Sequence, residues 1–185
     1  MQDTALLLLA SWHNFYAILG TAAASLTGLM FVVIALTASV QRRRSSDGIG
    51  AFGTPTVFHF EAALLLAAIL SAPWSMLWNV DLLLGLCSIG GVVYIMIVLR
   101  RFLRVSRQSN YTNVLEDWLW YLFFPLVSYI AIVVAAIMLP ANAALALFVI
   151  AAAALLLVFI GIHNAWDLVV FIAFGLFEQE EKSQD

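Results

Sequence analysis

The chain has 185 residues, of which 64% are hydrophobic and only 10% are charged, with a formal net charge of −3. A soluble domain is nearer half apolar and about one quarter charged, so this composition excludes an ordinary soluble enzyme or a nucleic-acid-binding domain. Runs of about 20 apolar residues, enough to cross the roughly 30 Å hydrocarbon core of a bilayer, recur along the chain. We therefore predict an all-α, polytopic membrane helical bundle with the lipid bilayer as its surroundings.

Five transmembrane helices are predicted in one domain over residues 1–185. Polar, Gly-rich or Pro-rich breaks separate them, namely "QRRRSSDGIGAFGTP", "NVD", "RRFLRVSRQSNYTN" and "PAN". The predicted spans are 12–40, 55–78, 82–99, 114–139 and 143–165. The last apolar segment is too long for one crossing, at about 52 Å for a continuous helix. Residues 166–177 are therefore expected to continue as a helix at or beyond the cytoplasmic interface.

Local signals refine these spans. Asp81 is predicted to cap the third span after a tight turn at "NVD", and Asn142 is predicted to cap the fifth. Pro73 and Pro125 fall inside the second and fourth predicted spans, where each is expected to kink its helix.

The basic residues predict the orientation. With five spans, all eight fall on the same side of the membrane. They are Arg42, Arg43, Arg44, Arg100, Arg101, Arg104, Arg107 and Lys182. Because basic residues concentrate on the cytoplasmic side, the N-terminus is predicted outside and the C-terminus inside.

The first span has small residues at intervals of four, at Gly20, Ala24 and Gly28. This spacing lets helix backbones approach closely. The face is expected to pack either within the chain or against another copy, and it gives one reason to expect a homo-oligomer.

Two short stretches have a familiar pattern. The string "AAASLTGLMFVVIAL" resembles the opening helix of small, uncharacterised bacterial inner-membrane proteins, and "HNAWD" at 163–167 is a second signature. The resemblance implies a multi-pass protein of the bacterial inner membrane, and it implies no activity and no site.

Ionisable residues inside apolar spans are expensive and mark candidate sites. Glu61 lies about two turns inside the second span, while His59 projects to nearly the opposite helical face. His163, Asn164 and Asp167 share one helical face, and their spacing lets the carboxylate orient the imidazole. These α-helical groups are expected at similar depth, so Glu61, His163, Asn164 and Asp167 are predicted to form one ion or proton site. The alternative is a structural cluster whose members only hydrogen-bond their neighbours.

The predicted function is a small channel or transporter for protons or a small ion, with the polar cluster on its cytoplasmic side. The alternative is an accessory or scaffold subunit that binds a larger membrane protein. No nucleophile–base or metal-ligand motif is recognisable, so an enzyme is disfavoured and no metal or cofactor is expected.

Overall fold

The computed structural model of the protein describes residues 2–41, 47–108 and 115–182, and the regular structure within these ranges is helical. The elements are α1 (Gln2–Ser11), α2 (His13–Gln41), α3 (Asp47–Ser71), α4 (Leu77–Gln108), α5 (Leu115–Trp118), a π-helical turn (Leu119–Phe123), α6 (Phe124–Met138) and α7 (Ala143–Lys182).

Five segments of the described chain are long and apolar enough to cross a membrane. They are His13–Ala35, Thr54–Ser71, Leu77–Arg101, Leu119–Met138 and Ala143–Val170. The prediction of an all-α chain with five candidate spans is therefore confirmed.

The boundary between the second and third spans differs from the prediction. Helix α3 ends at Ser71, and Pro73 follows it instead of kinking it. The cause is local, because proline disfavours the helical conformation of the preceding residue and supplies no N–H. At this helix end the Ile69 carbonyl accepts hydrogen bonds from the Trp74 indole Nε1, at 2.6 Å, and from the Ala72 backbone N–H, at 3.3 Å.

The prediction of a turn at "NVD" is wrong, and the cause is again the helix end before Pro73. The chain has already turned between Ser71 and Leu77, so α4 begins at Leu77 and Asp81 lies inside it. A helix that starts earlier can include a polar residue near its end, where a membrane span approaches the aqueous interface. Asp81 is therefore not the cap of this span.

The fifth span begins as predicted. The Asn142 side-chain oxygen accepts a hydrogen bond of 3.1 Å from the Leu145 backbone N–H, so the predicted cap is confirmed. Helix α7 then runs without a break for 40 residues, a length of about 60 Å. The predicted extension 166–177 is part of this helix.

Helix α3 packs between α2 and α7, while α6 packs against α4 and α7. The Tyr16 hydroxyl near the start of α2 donates to the Leu147 carbonyl near the start of α7, at 3.3 Å. A Cβ built on Gly20 would lie 3.0 Å from the Ala67 Cβ, near the end of α3. Helices α2 and α7 therefore start at the same end of the bundle, and α3 runs in the opposite direction.

The fourth span contains the one π-helical element of the described residues. The Phe124 N–H bonds to the Leu119 carbonyl five residues earlier, directly before Pro125 in the first turn of α6. Single π-helical turns inside α-helices are often found at functional sites. Trp120 of this turn stacks on His163 of α7.

Candidate functional site

A small cleft opens beside Glu61, between α3, α4 and α6. Its volume is about 180 Å³. It is lined by Phe58, Glu61, Ala62, Leu65, Leu66, Cys87, Ser88 and Tyr129, and we call it the Glu61 cleft. Glu61 is exposed at this cleft, although it belongs to a candidate membrane span. An exposed carboxylate therefore lies against mostly apolar walls.

A buried hydrogen bond supports the back of the cleft. His59 Nδ1 lies 3.1 Å from the Tyr129 hydroxyl, and both side chains are buried. Sequence periodicity correctly separates His59 from Glu61 on the helix surface. The long Tyr129 side chain nevertheless connects them, because it reaches His59 from α6 and also lines the cleft.

Close backbone packing makes room for this tyrosine. A Cβ built on Gly91 of α4 would lie 2.7 Å from Cγ of Tyr129, which is closer than van der Waals contact allows. Gly161 of α7 plays the same part for Phe60, where a built Cβ would lie 2.8 Å from Cδ1 of the ring. These two glycines let aromatic side chains fill the space between helices.

Two polar atoms near the cleft have no hydrogen-bond partner among the described residues. They are the Ser88 hydroxyl oxygen and His59 Nε2. Buried polar groups are almost always paired, because an unpaired one loses its bonds to water without replacement. Ser88 is also one of the residues that line the cleft.

The second polar group surrounds His163 on α7. His163 Nε2 lies 3.4 Å from Asp167 Oδ2 and 3.8 Å from Glu116 Oε1. These are ion-pair distances rather than good hydrogen bonds. The imidazole also stacks on the Trp120 ring of the π-helical turn, with centroids 3.9 Å apart and planes 20° apart. The predicted pairing of His163 with Asp167 is present, whereas sequence reasoning missed Glu116 and Trp120.

Asn164 adjoins this group but points into the bundle. Its side chain is fully buried, and neither its amide nitrogen nor its amide oxygen has a hydrogen-bond partner among the described residues. We call His163, Asn164, Asp167, Glu116 and Trp120 the His163 group.

Of the four predicted site residues, Glu61 lies on α3, and His163, Asn164 and Asp167 lie on α7. Glu61 lines a cleft whose walls come from α3, α4 and α6, and none of His163, Asn164 or Asp167 lines that cleft. His163 lies against Glu116 of α5 and Trp120 of the π-helical turn. That all four residues form one ion or proton site stays a prediction.

The three predicted packing residues of α2 differ in burial. Gly20 is buried against Ala67 of α3, whereas Ala24 and Gly28 are exposed. A Cβ built on Gly28 would meet nothing within 4 Å. Within one chain, only Gly20 makes the close helix–helix approach that the spacing predicts.

Across residues 2–41, 47–108 and 115–182, no three His, Cys, Asp or Glu side chains converge so that they could hold a metal ion. Comparisons with protein-family models, curated proteins and solved structures find no match for this chain. A functional conclusion therefore depends on the geometry of the two polar groups.

Proposed function

We propose that this protein is the subunit of a homo-oligomeric membrane channel or transporter for protons or small cations, with Glu61 as its ion-binding carboxylate. The observation that supports the proposal is the exposure of Glu61 at a cleft inside a candidate span whose mean hydropathy is 1.5. A carboxylate at such depth costs about 2.5–3.5 kcal/mol on insertion scales. Groups of this kind usually mark ion or proton pathways.

The pathway is proposed to run between copies of the chain. Helix α3 is packed on two sides by α2 and α7, and Glu61 opens toward the outer surface of the bundle. A second copy placed over the cleft would shield the carboxylate from lipid and would complete a polar path. Within one chain, Phe60 and Tyr129 pack closely on Gly161 and Gly91.

The His163 group is proposed as a second proton or ion station toward the cytoplasm. Its imidazole lies within ion-pair distance of two carboxylates. Histidine changes charge near neutral pH and is a common proton carrier. Glu61 and His163 are thus proposed as two stations of one pathway.

We place the protein in the bacterial inner membrane, with its N-terminus outside and its C-terminus in the cytoplasm. The basis is the sequence, since the eight basic residues fall on one side of five alternating spans. Reporter fusions after Ser75 and Lys182 should read periplasmic and cytoplasmic, respectively. The reverse pattern would contradict the orientation and would move the His163 group to the outer side.

The transport proposal is tested by Glu61→Gln in purified protein reconstituted into liposomes. A pH-sensitive dye inside the vesicles reports proton flux, and imposed potassium or sodium gradients report cation dependence. Wild-type flux is expected to fall to the level of protein-free vesicles in the variant, because glutamine has nearly the same shape but carries neither a negative charge nor an ionisable proton.

The matched control is Asp3→Asn, which also neutralises an exposed acid but lies in α1, far from the cleft in the chain. Its flux should equal that of the wild type. Retained flux in Glu61→Gln would contradict the assigned role, and wild-type vesicles without flux would reject transport altogether.

A scaffold role is the second candidate, and the exposed face of Ala24 and Gly28 favours it. Gly28→Leu is expected to leave the thermal stability of the monomer unchanged while weakening association with another helix. Gly20→Leu is the contrasting variant and should destabilise the monomer itself, because Gly20 packs on Ala67. Melting temperature and light-scattering mass in detergent measure both effects. Unchanged association in Gly28→Leu would show that this face meets only lipid.

A further inference from the structure

We propose that the Glu61 cleft binds a primary ammonium group attached to a short apolar chain. This inference rests on the proposed function and names the class of cation that the Glu61 site takes. The ammonium would lie against the Glu61 carboxylate, with its apolar part on the carbon-lined walls of the cleft.

The walls disfavour a bare inorganic cation. Hard metal ions take about six or more oxygen ligands, and selective potassium sites replace the hydration shell with rings of carbonyl oxygens. The lining of this cleft instead offers few side-chain oxygens, those of Glu61, Ser88 and Tyr129, among hydrophobic neighbours. An organic cation brings its own apolar surface, so it loses less on leaving water.

Aromatic rings form one wall of the cleft. Phe58 stacks on Tyr94 with centroids 3.8 Å apart and planes 20° apart, and it meets Tyr129 edge-on at 6.4 Å. The His59 hydrogen bond fixes the Tyr129 hydroxyl. Aromatic faces attract cations through their quadrupoles, most strongly where water is excluded. These contacts hold the aromatic rings that line the cleft in place.

Ser88 indicates a cation that has N–H groups. Ser88 lines the cleft, and its buried hydroxyl has no hydrogen-bond partner among the described residues. A primary ammonium can donate one hydrogen bond to the Glu61 carboxylate and another to this oxygen. A quaternary ammonium cannot donate either bond. Two acceptors, at Glu61 and at Ser88, therefore favour the primary ammonium.

The size of the cleft limits the guest. Its volume of about 180 Å³ is smaller than the roughly 300–1,000 Å³ of pockets for drug-sized ligands. A small alkylammonium fits this description. The ethanolamine headgroup of a phospholipid presents the same chemistry, since it is also a primary ammonium on a short chain.

The test is calorimetric titration of n-butylammonium into purified full-length protein in detergent at constant ionic strength. Binding is expected, and Glu61→Gln should weaken it at least about tenfold because the charge-assisted bond is lost. Ser88→Ala should weaken butylammonium binding but leave the weaker binding of tetramethylammonium unchanged. Asp3→Asn should match the wild type.

Ala62→Leu distinguishes the binding of an organic cation from the binding of a proton or a bare ion. The variant keeps the carboxylate but narrows the cleft, so it should weaken butylammonium binding. Equal binding by wild type and Glu61→Gln, or full displacement of butylammonium by the same concentration of potassium, would overturn the inference.

Nanodiscs distinguish the two sources of the ammonium. If the headgroup occupies the cleft, butylammonium should bind more weakly in phosphatidylethanolamine discs than in phosphatidylcholine discs. If the guest is a soluble amine, the two affinities should agree. Butylammonium binding without flux would reject the transport proposal and support amine binding at the cleft. Proton flux without amine binding would support transport and reject amine binding.

Discussion

Gly91→Ala is expected to lower the free energy of unfolding by about 1–3 kcal/mol, which is the usual effect of overpacking a core. The added methyl group would lie 2.7 Å from Cγ of Tyr129. That ring is 1% exposed, and its hydroxyl is held by His59. It therefore cannot move aside without giving up its hydrogen bond. Denaturant unfolding in mixed micelles measures the change.

Gly90→Ala is the matched control, one residue away on the same helix. A Cβ at Gly90 would meet nothing within 4 Å. Alanine favours a helix over glycine by up to about 1 kcal/mol, so this variant should be as stable as the wild type or slightly more stable. Equal effects of the two substitutions would show that α4 and α6 are not packed at Gly91 as described.

The sequence predicts the helical class and the candidate spans because long apolar runs have few other stable forms in a membrane. The sequence-based prediction misplaces the turn between the second and third spans, because a proline and a polar stretch both favour a helix end there. Pro73 ends α3 at Ser71, while Asn79 and Asp81 remain inside α4. The sequence shows which residues can end a helix, but it does not show which of two such signals is stronger.

The candidate site is predictable only within each helix. Spacing within α7 correctly pairs His163 with Asp167, since residues four apart are neighbours on a helix. The stacking of His163 on Trp120 depends on how α7 packs against the π-helical turn, and no local pattern encodes it. The prediction that Glu61 approaches the α7 residues rests on shared depth alone, and depth does not determine which neighbouring helix a side chain faces.

Neutral polar residues were missed for a different reason. Glu61 stands out because a carboxylate is rare in an apolar span. Ser88 and Tyr129 do not stand out, because serine and tyrosine are common in membrane helices. Their importance follows from burial and from the atoms that they face in the folded chain.

Tyr129→Phe is expected to lower the free energy of unfolding by about 1–3 kcal/mol, although it removes only one oxygen atom. The Tyr129 hydroxyl is the partner of His59 Nδ1 at 3.1 Å, and His59 Nε2 already has no partner among the described residues. The substitution would leave both nitrogens of a fully buried imidazole unpaired. The phenylalanine ring preserves the packing on Gly91, so the loss is assigned to the hydrogen bond.

A double-mutant cycle with His59→Leu separates this hydrogen bond from packing. His59→Leu alone should also destabilise the protein, because it leaves the Tyr129 hydroxyl buried and unpaired. The double variant should be more stable than the sum of the two single losses predicts, since removing both partners leaves no unpaired polar group. Tyr94→Phe is the control, because the Tyr94 ring is only partly buried and should lose no more than about 0.5 kcal/mol. Additive losses in the cycle would contradict the His59–Tyr129 bond, and the fixed aromatic wall of the Glu61 cleft would lose its support.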